Sequence, residues 1–406
     1  MKGRTIPKYG LPEKVIFCKR CLMSNQRPAS IPEFKHLPDR RGARYMHIDE
    51  EGVCDACRHA EKKEGINWKD REDELLRLLD KYRRKDGVYD CIVPGSGGKD
   101  SVFQSHILKY KYGMHPLTIT WPPILYTDYG YQNFLNWIEL GGFDNLTFKP
   151  DGRVHKLLTK LAIENLLHPF QTFILGQKNL APKIAINYKI PLIFYGENEA
   201  EYGNPIADNA TSLRDKSFYE MSDLSEVYLS GCSIPELIEK YELTLNDLMA
   251  YLPASAEDLG KAQVEVHYLG YYLKWTPQEV YYYAVENTGF QARPYRTEGT
   301  YSKYNSIDDK IDDLHYYTTW IKFGLGRASY DASQEIRNKH LTREDGMALV
   351  KQFDGEKPTR YIQEVMRFIG LEVEEFFELC DKFRSPHLWE KKSNGEWALK
   401  HPVWED

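Results

Sequence analysis

The chain has 406 residues, 42% hydrophobic and 28% charged, long enough to bury at least one large core. Its net charge of −6 weighs against nucleic acid as the main partner, because phosphate contacts need clustered Lys and Arg. No apolar run approaches the length of a membrane span, and the opening MKGRTIPKYGLPEK has no apolar signal-type core, so a soluble, cytoplasmic protein is expected.

Residues 1–64 are rich in Pro, Arg and turn formers and cannot build a core unaided. They carry two C-x2-C pairs, Cys18/Cys21 and Cys54/Cys57, a ligand set suited to a tetrahedral four-thiolate site. Structural Zn2+ is the expectation; an iron–sulfur cluster and inert buried thiols are the alternatives. Four cysteines at the metal-binding positions leave no open place for a hydrolytic water. The other three, Cys91, Cys232 and Cys380, are scattered, which argues against a disulfide framework.

A helical stripe through Leu75, Leu76, Leu78, Leu79 and Tyr82 comes next, and then the pattern switches. Short apolar runs at Val88–Pro94, Pro116–Trp121, Asn145–Pro150, Ile190–Gly196 and Val264–Gly270 predict five strands, separated by helical stretches. FQTFILGQKNLAPKIAINYK reads as helical in two pieces, and Thr276, Pro277 and Glu279 as a helix start with a capping box. Alternating strands and helices predict an α/β fold with a parallel sheet covered on both faces. The expected organisation is a four-cysteine head at 1–64, an α/β domain at 65–295 with a helical insertion at about 213–262, and a mostly helical region at 296–406 ending in a small hairpin.

The sharpest signal is Pro94-Gly95-Ser96-Gly97-Gly98-Lys99-Asp100-Ser101, between the first strand and a helix. Glycines bring backbone N–H groups close to an anion, and the helix N-terminus adds unsatisfied donors and positive dipole. Ser96 and Ser101 supply hydroxyls, Lys99 charge, and Asp100 a group to orient donors or hold Mg2+. A Walker A loop needs Ser or Thr after its Lys, and a dinucleotide fingerprint needs Gly where Asp100 stands; neither fits. Ligands of open α/β sheets bind at the carboxyl ends of strands. Trp121, ending the second strand, is therefore a candidate adenine wall. Gly196, Glu197, Glu199 and Glu201, after the fourth strand, are candidates for nucleotide contact, Mg2+ or a proton-accepting role. Lys178 and Lys183 are candidate phosphate contacts.

SGGKDS resembles the PP-loop signature SGG-x-D-S of ATP pyrophosphatases, which implies a Rossmann-like sheet of the adenine nucleotide α-hydrolase-like type. It also implies that residues 96–101 grip the outgoing pyrophosphate of ATP. The cysteine head, PGSGGKDS, TITWPP, YGENEAEYGNP and GTYSKYNSIDDKIDDLHYYTTWIKFG together resemble the N-acetyl sugar amidotransferases of bacterial surface polysaccharide (lipopolysaccharide, O-antigen) synthesis. Gly95 is a departure, since other PP-loop members often carry an apolar residue there. The resemblance implies adenylation of an acetamido carbonyl and displacement of AMP by ammonia, giving an acetamidino sugar. It further implies a glutaminase subunit supplying ammonia and a cyclase-type barrel partner similar to those of imidazole glycerol phosphate synthase, because no cysteine here has a glutaminase context. A tRNA sulfurtransferase and a nucleotide-gated scaffold are the competing functions. Lys303, Asn305, Asp308 and Asp309 are candidate phosphate, sugar or metal contacts, and Arg327 and Arg337 candidates for an acidic sugar.

Overall fold

The computed structural model describes residues 6–40 and 42–405. Five strands form one parallel sheet: β1 (Cys91–Pro94), β2 (Pro116–Thr120), β3 (Asn145–Thr147), β4 (Leu192–Tyr195) and β5 (Glu265–Tyr268), in the spatial order β3-β2-β1-β4-β5. The predicted strands are all present, each trimmed at one end or both. Their apolar runs follow from burial on both faces. Cys91 and Val93 of β1, with Leu192 and Phe194 of β4, face one core; Ile92 and Ile193 face the other.

The first core is closed by α2 (Trp68–Tyr82) through Leu75 and Leu79. Two further helices cover the same side, α3 (Lys99–His106), extended by a π-helical stretch over Ile107–Lys111, and α7 (Pro277–Thr288), with α4 (Asp128–Glu139) packed against both, while α5 (Gly152–Leu166) and α6 (Gln171–Tyr188) lie on the opposite side. Helix α6 is one helix, not two: Pro182 removes one backbone donor, but Asn179, Leu180, Ala181 and Ala185 are buried around it and hold it continuous. Thr276 does stand at the start of α7 with Pro277 in the first turn, without a side-chain cap bond. The 213–262 stretch mixes helices at Ile234–Tyr241, Leu245–Leu248 and Ala256–Ala262 with two-residue strands, and its Leu237, Leu248 and Leu259 complete the second core.

Beyond residue 300 follow α8 (Asp312–Phe323), α9 (Arg327–Arg337), α10 (Arg343–Phe353), α11 (Ile362–Ile369) and α12 (Val373–Phe383). A hairpin of β6 (Trp389–Lys391) and β7 (Trp397–Leu399) then comes before the C-terminus. Short helix α1 (Asp55–Glu64) belongs to the head, which packs on α9 and α10: Leu22 N–H donates to Ser333 Oγ of α9 at 3.2 Å, and Arg343 Nε of α10 to the Cys21 carbonyl at 3.4 Å. No helix of the described residues is long and apolar enough to cross a membrane.

Candidate active site

Strand order reverses beside β1, where the connection from β1 runs to β2 on one side and β4 lies on the other. A crevice opens at such a point, outside the carboxyl ends of the strands. The loop after β1 fills it. Gly95 N–H donates to the Ile119 carbonyl at 2.9 Å, and Gly97 turns the chain with φ +89° directly against the backbone of α4. Gly98 then caps α3. The N–H groups of Gly97, Gly98 and the first turn of α3 donate to no carbonyl elsewhere in the described chain, which leaves them free for an anion.

These donors border a cavity of about 530 Å³. Ser96, Gly98, Lys99 and Asp100 line it from the loop, Glu197 from the end of β4, and Asn305, Asp308, Asp309 and Asp312 from the strap that enters α8. Arg327, Asp331 and Arg337 line it from α9, and Met23 from the head. The strap is tied down on both sides. Ser96 Oγ donates to Asp308 Oδ2 at 2.6 Å, and Thr127 N–H donates to the Asp308 carbonyl at 3.0 Å. Asp309 is spent on backbone, accepting from Leu125 N–H at 3.2 Å and Ile311 N–H at 3.0 Å.

The cavity is strongly acidic. Asp100, Glu197, Asp308, Asp309, Asp312 and Asp331 face it against Lys99, Arg327 and Arg337. Lys99 Nζ bonds Asp100 Oδ2 at 2.6 Å, and Arg327 Nε pairs with Asp331 Oδ1 at 3.0 Å. The remaining carboxylates crowd one another. Burial and then Asp100 push Glu197 up to about 8; burial and then Asp309 and Asp308 push Asp312 up to about 8. Oδ1 of Asp100 is buried without a hydrogen-bond partner. Carboxylate oxygens are the ligands that hard divalent cations take, and a cation among them would relieve this repulsion, but no three of these groups converge on one point among the described residues.

Other residues singled out in the sequence lie off the cavity. Ser101 Oγ donates back to the Gly98 carbonyl at 2.8 Å, behind the loop. Trp121 is 3% exposed and sits in the core against Phe148, His155 and Tyr251, because it follows β2 with its side chain toward α5 and α6. A Cβ on Gly176 of α6 would lie 2.0 Å from its ring, so helix and indole are in direct contact. Glu199 pairs with Arg214 at 3.2 Å and accepts from Asn204 at 2.8 Å. Glu201 pairs with Lys63 and His59 of α1. Lys183 donates to the Met249 carbonyl at 2.6 Å, tying α6 to the 213–262 stretch. Lys178 lines a separate cavity, Gly196 packs on Trp275, and Lys303 is exposed. Conversely, Asp312, Asp331 and the tyrosines Tyr304, Tyr316 and Tyr330 border the cavity without having been singled out. Only the density of acids in SIDDKIDD hinted at Asp312.

The four cysteines converge as their spacing predicted. Their sulfurs all lie within 4.8 Å of one another, Cys18 to Cys57 at 3.8 Å and Cys21 to Cys54 at 3.6 Å. Metal–sulfur bonds of about 2.3 Å in a tetrahedron require sulfur separations of about 3.8 Å. Backbone N–H groups of Arg20 and Cys54 point at Cys18 Sγ at 3.4 and 3.3 Å, as they do toward thiolate ligands. These residues fit zinc.

Residues 298–402 match the family described as "LPS biosynthesis protein WbpG-like, C-terminal domain". The strap, α8, α9 and the acids they bring to the cavity fall inside that match. A search of curated proteins finds no match. Among solved structures, an NMN synthetase from Francisella tularensis is similar at 17% identity, over 49% of this chain and 92% of that chain, with a TM-score of 0.21. The fold assignment rests on the strand order above, not on that likeness.

Proposed function

We propose that the chain is an ATP pyrophosphatase of the PP-loop type, and that it uses AMP-forming activation to convert an acetamido group of a bacterial surface sugar into an acetamidino group. The observation that carries the reading is the free N–H row of residues 97–100, set at the sheet's switch point opposite Glu197 and Asp308. Such a row suits an outgoing diphosphate: fixed amide dipoles stabilise charge as it develops and need no reorganisation. The match of residues 298–402 to a lipopolysaccharide-biosynthesis domain supports the sugar as the acceptor.

An amide carbonyl is a weak electrophile with a poor leaving oxygen. In the proposed reaction its oxygen attacks the α-phosphorus of ATP and pyrophosphate leaves. Ammonia then adds to the activated carbon, a proton is lost, and AMP departs with the former carbonyl oxygen. Ser96, Gly97, Gly98 and Lys99 hold the β- and γ-phosphates. Asp100, Glu197, Asp308 and Asp312 are the carboxylates suited to Mg2+, which would supply charge neutralisation on the polyphosphate. Burial and then Asp100 raise Glu197, which makes its ionised form a stronger base than an ordinary carboxylate, and we assign it the proton lost when ammonia adds. Ser101, Trp121, Lys178, Glu199, Gly196 and Lys303 take no direct part in this scheme.

No cysteine lines the cavity among the described residues, and Cys91, Cys232 and Cys380 are buried elsewhere, which disfavours sulfur transfer. For the same reason ammonia is assigned to a separate glutaminase, acting with a barrel partner. Incubation with ATP, ammonium chloride and a panel of acetamido sugars tests the reading. Mass spectrometry should find the product in which NH replaces the carbonyl oxygen; a panel of free and nucleotide-linked sugars yielding none would remove the amidotransferase assignment.

A further inference from the structure

Apart from the cysteines, one other group of ligand-type side chains converges in the described residues. Glu33 opens a short 3-10 turn, His36 follows that turn, and His168 follows α5, where Leu167 takes a left-handed conformation. One ligand atom from each of the three lies within 4.8 Å of the other two. Both imidazole nitrogens approach the same oxygen, His36 at 3.4 Å and His168 at 3.2 Å. Yet that oxygen has no hydrogen-bond partner, although Glu33 is only 6% exposed. The two rings come close to it without aiming an N–H at it.

One carboxylate oxygen flanked by two ring nitrogens whose N–H groups are not aligned on it has the arrangement of ligands around a common ion. Metal–ligand bonds of about 2.0–2.1 Å to nitrogen and oxygen put neighbouring donors about 3.3 Å apart in a tetrahedron. The observed 3.2 and 3.4 Å bracket that value. The ligand-bearing segments are also fixed independently of any ion: Gln171 Nε2 donates to the Glu33 carbonyl at 3.0 Å, and His168 N–H donates to the Ala162 carbonyl at 3.1 Å.

We infer that Glu33, His36 and His168 bind a divalent transition metal, in a site distinct from the four-cysteine head. Two imidazoles and one carboxylate select zinc or a neighbouring first-row ion over magnesium. Three protein ligands leave a coordination position open, and the group borders a cavity of about 170 Å³ with room for a further ligand. Arg40, Lys178 and Lys322 line the same cavity; burial lowers Lys178 and takes Lys322 well below its usual range, and Arg40 remains as the charge that an anionic oxygen donor at the open position, a hydroxide or a carboxylate, would balance. His315 stacks on His168 with ring centroids 5.3 Å apart and leaves Nδ1 buried and unpartnered, a further donor on the wall. His315, Thr319 and Tyr330 also line the large cavity, so this metal would stand next to the candidate active site.

Zinc and cobalt are the probes. Full-length protein incubated with zinc chloride and desalted should hold about two zinc ions per chain by mass spectrometry of the metal, about one in Glu33→Gln or His168→Gln. Cobalt added to full-length protein carrying one zinc per chain, in the four-cysteine head, should give weak visible bands without sulfur charge transfer, and Glu33→Gln should weaken that uptake at least roughly tenfold. Near-ultraviolet circular dichroism checks that the variants fold; should they fail, the cobalt titration of the unaltered chain decides alone. One zinc per chain with no sulfur-free cobalt spectrum, or uptake indifferent to Glu33→Gln, would overturn the assignment.

Discussion

Gly95 and Gly97 make the phosphate loop possible for two different reasons. A Cβ on Gly95 would lie 2.2 Å from the Cβ of Ser101 and 3.0 Å from the Trp137 ring, so the residue is small because the loop packs on α3 and α4. A Cβ on Gly97 would lie 2.5 Å from the Phe134 Cα, and its φ of +89° is closed to other residues. Gly95, a departure from the PP-loop pattern in sequence, is therefore explained by packing. Gly97→Ala should destabilise the protein by about 1–3 kcal/mol and abolish AMP formation, measured by denaturant melts and nucleotide chromatography. Trp121 gives the opposite expectation. Trp121→Phe should cost about 1–3 kcal/mol of stability yet leave the KM for ATP unchanged, because the indole lies in the core; a raised KM would return it to the nucleotide. Ser96, Lys99, Asp100 and Glu197 were legible because the backbone beside a strand end dictates where they go. Trp121, Glu199 and Lys178 were not, since side-chain parity at the strand's end, the Arg214 partner and the packing around α6 are set by distant chain.

At the level of elements, the five strands stood out as apolar runs because the sheet is buried on both faces. Their order did not, since nothing local states that β1 lies between β2 and β4. That order creates the crevice, so the site's location was legible only through the loop motif. The strap from residue 299 to α8 offers candidate contacts in sequence through its charge density; that Asp308 bonds Ser96 and Asp309 caps the 124–125 backbone required the fold. Asp308→Asn keeps the shape and removes the charge. It should lower the rate of AMP formation about 100-fold while circular dichroism stays unchanged; an unaffected rate would make the strap a purely structural tie.

For the whole molecule, the head, the sheet domain and the C-terminal helices meet at one cavity, which is why Met23 and Asp308 share its lining. Cys18→Ser should release the head's metal and lower the melting temperature, with Leu22 losing its bond to Ser333 of α9 and Arg343 of α10 its bond to the Cys21 carbonyl. Acid should loosen the assembly in a defined window. Burial lowers His155 to about 4, beside the Tyr251 hydroxyl, and His387 to about 4, where it links the tail to Gln26 of the head. Both must stay neutral in the fold, while in the unfolded chain they take up protons below about 6.5. Stability therefore falls as pH drops through 6.5 toward 4, and their contribution levels off below 4. Urea melts between pH 7 and 4 measure this, and His155→Gln should flatten part of the slope.

The central claim is that residues 96–100 cradle a diphosphate that leaves as one piece. Phosphorus-31 magnetic resonance of the reaction with ATP, ammonium chloride and an accepted acetamido sugar reads it directly. AMP and pyrophosphate should accumulate together, and both should vanish in Ser96→Ala with the fold intact. ADP and orthophosphate as products, or pyrophosphate released undiminished by Ser96→Ala, would contradict it.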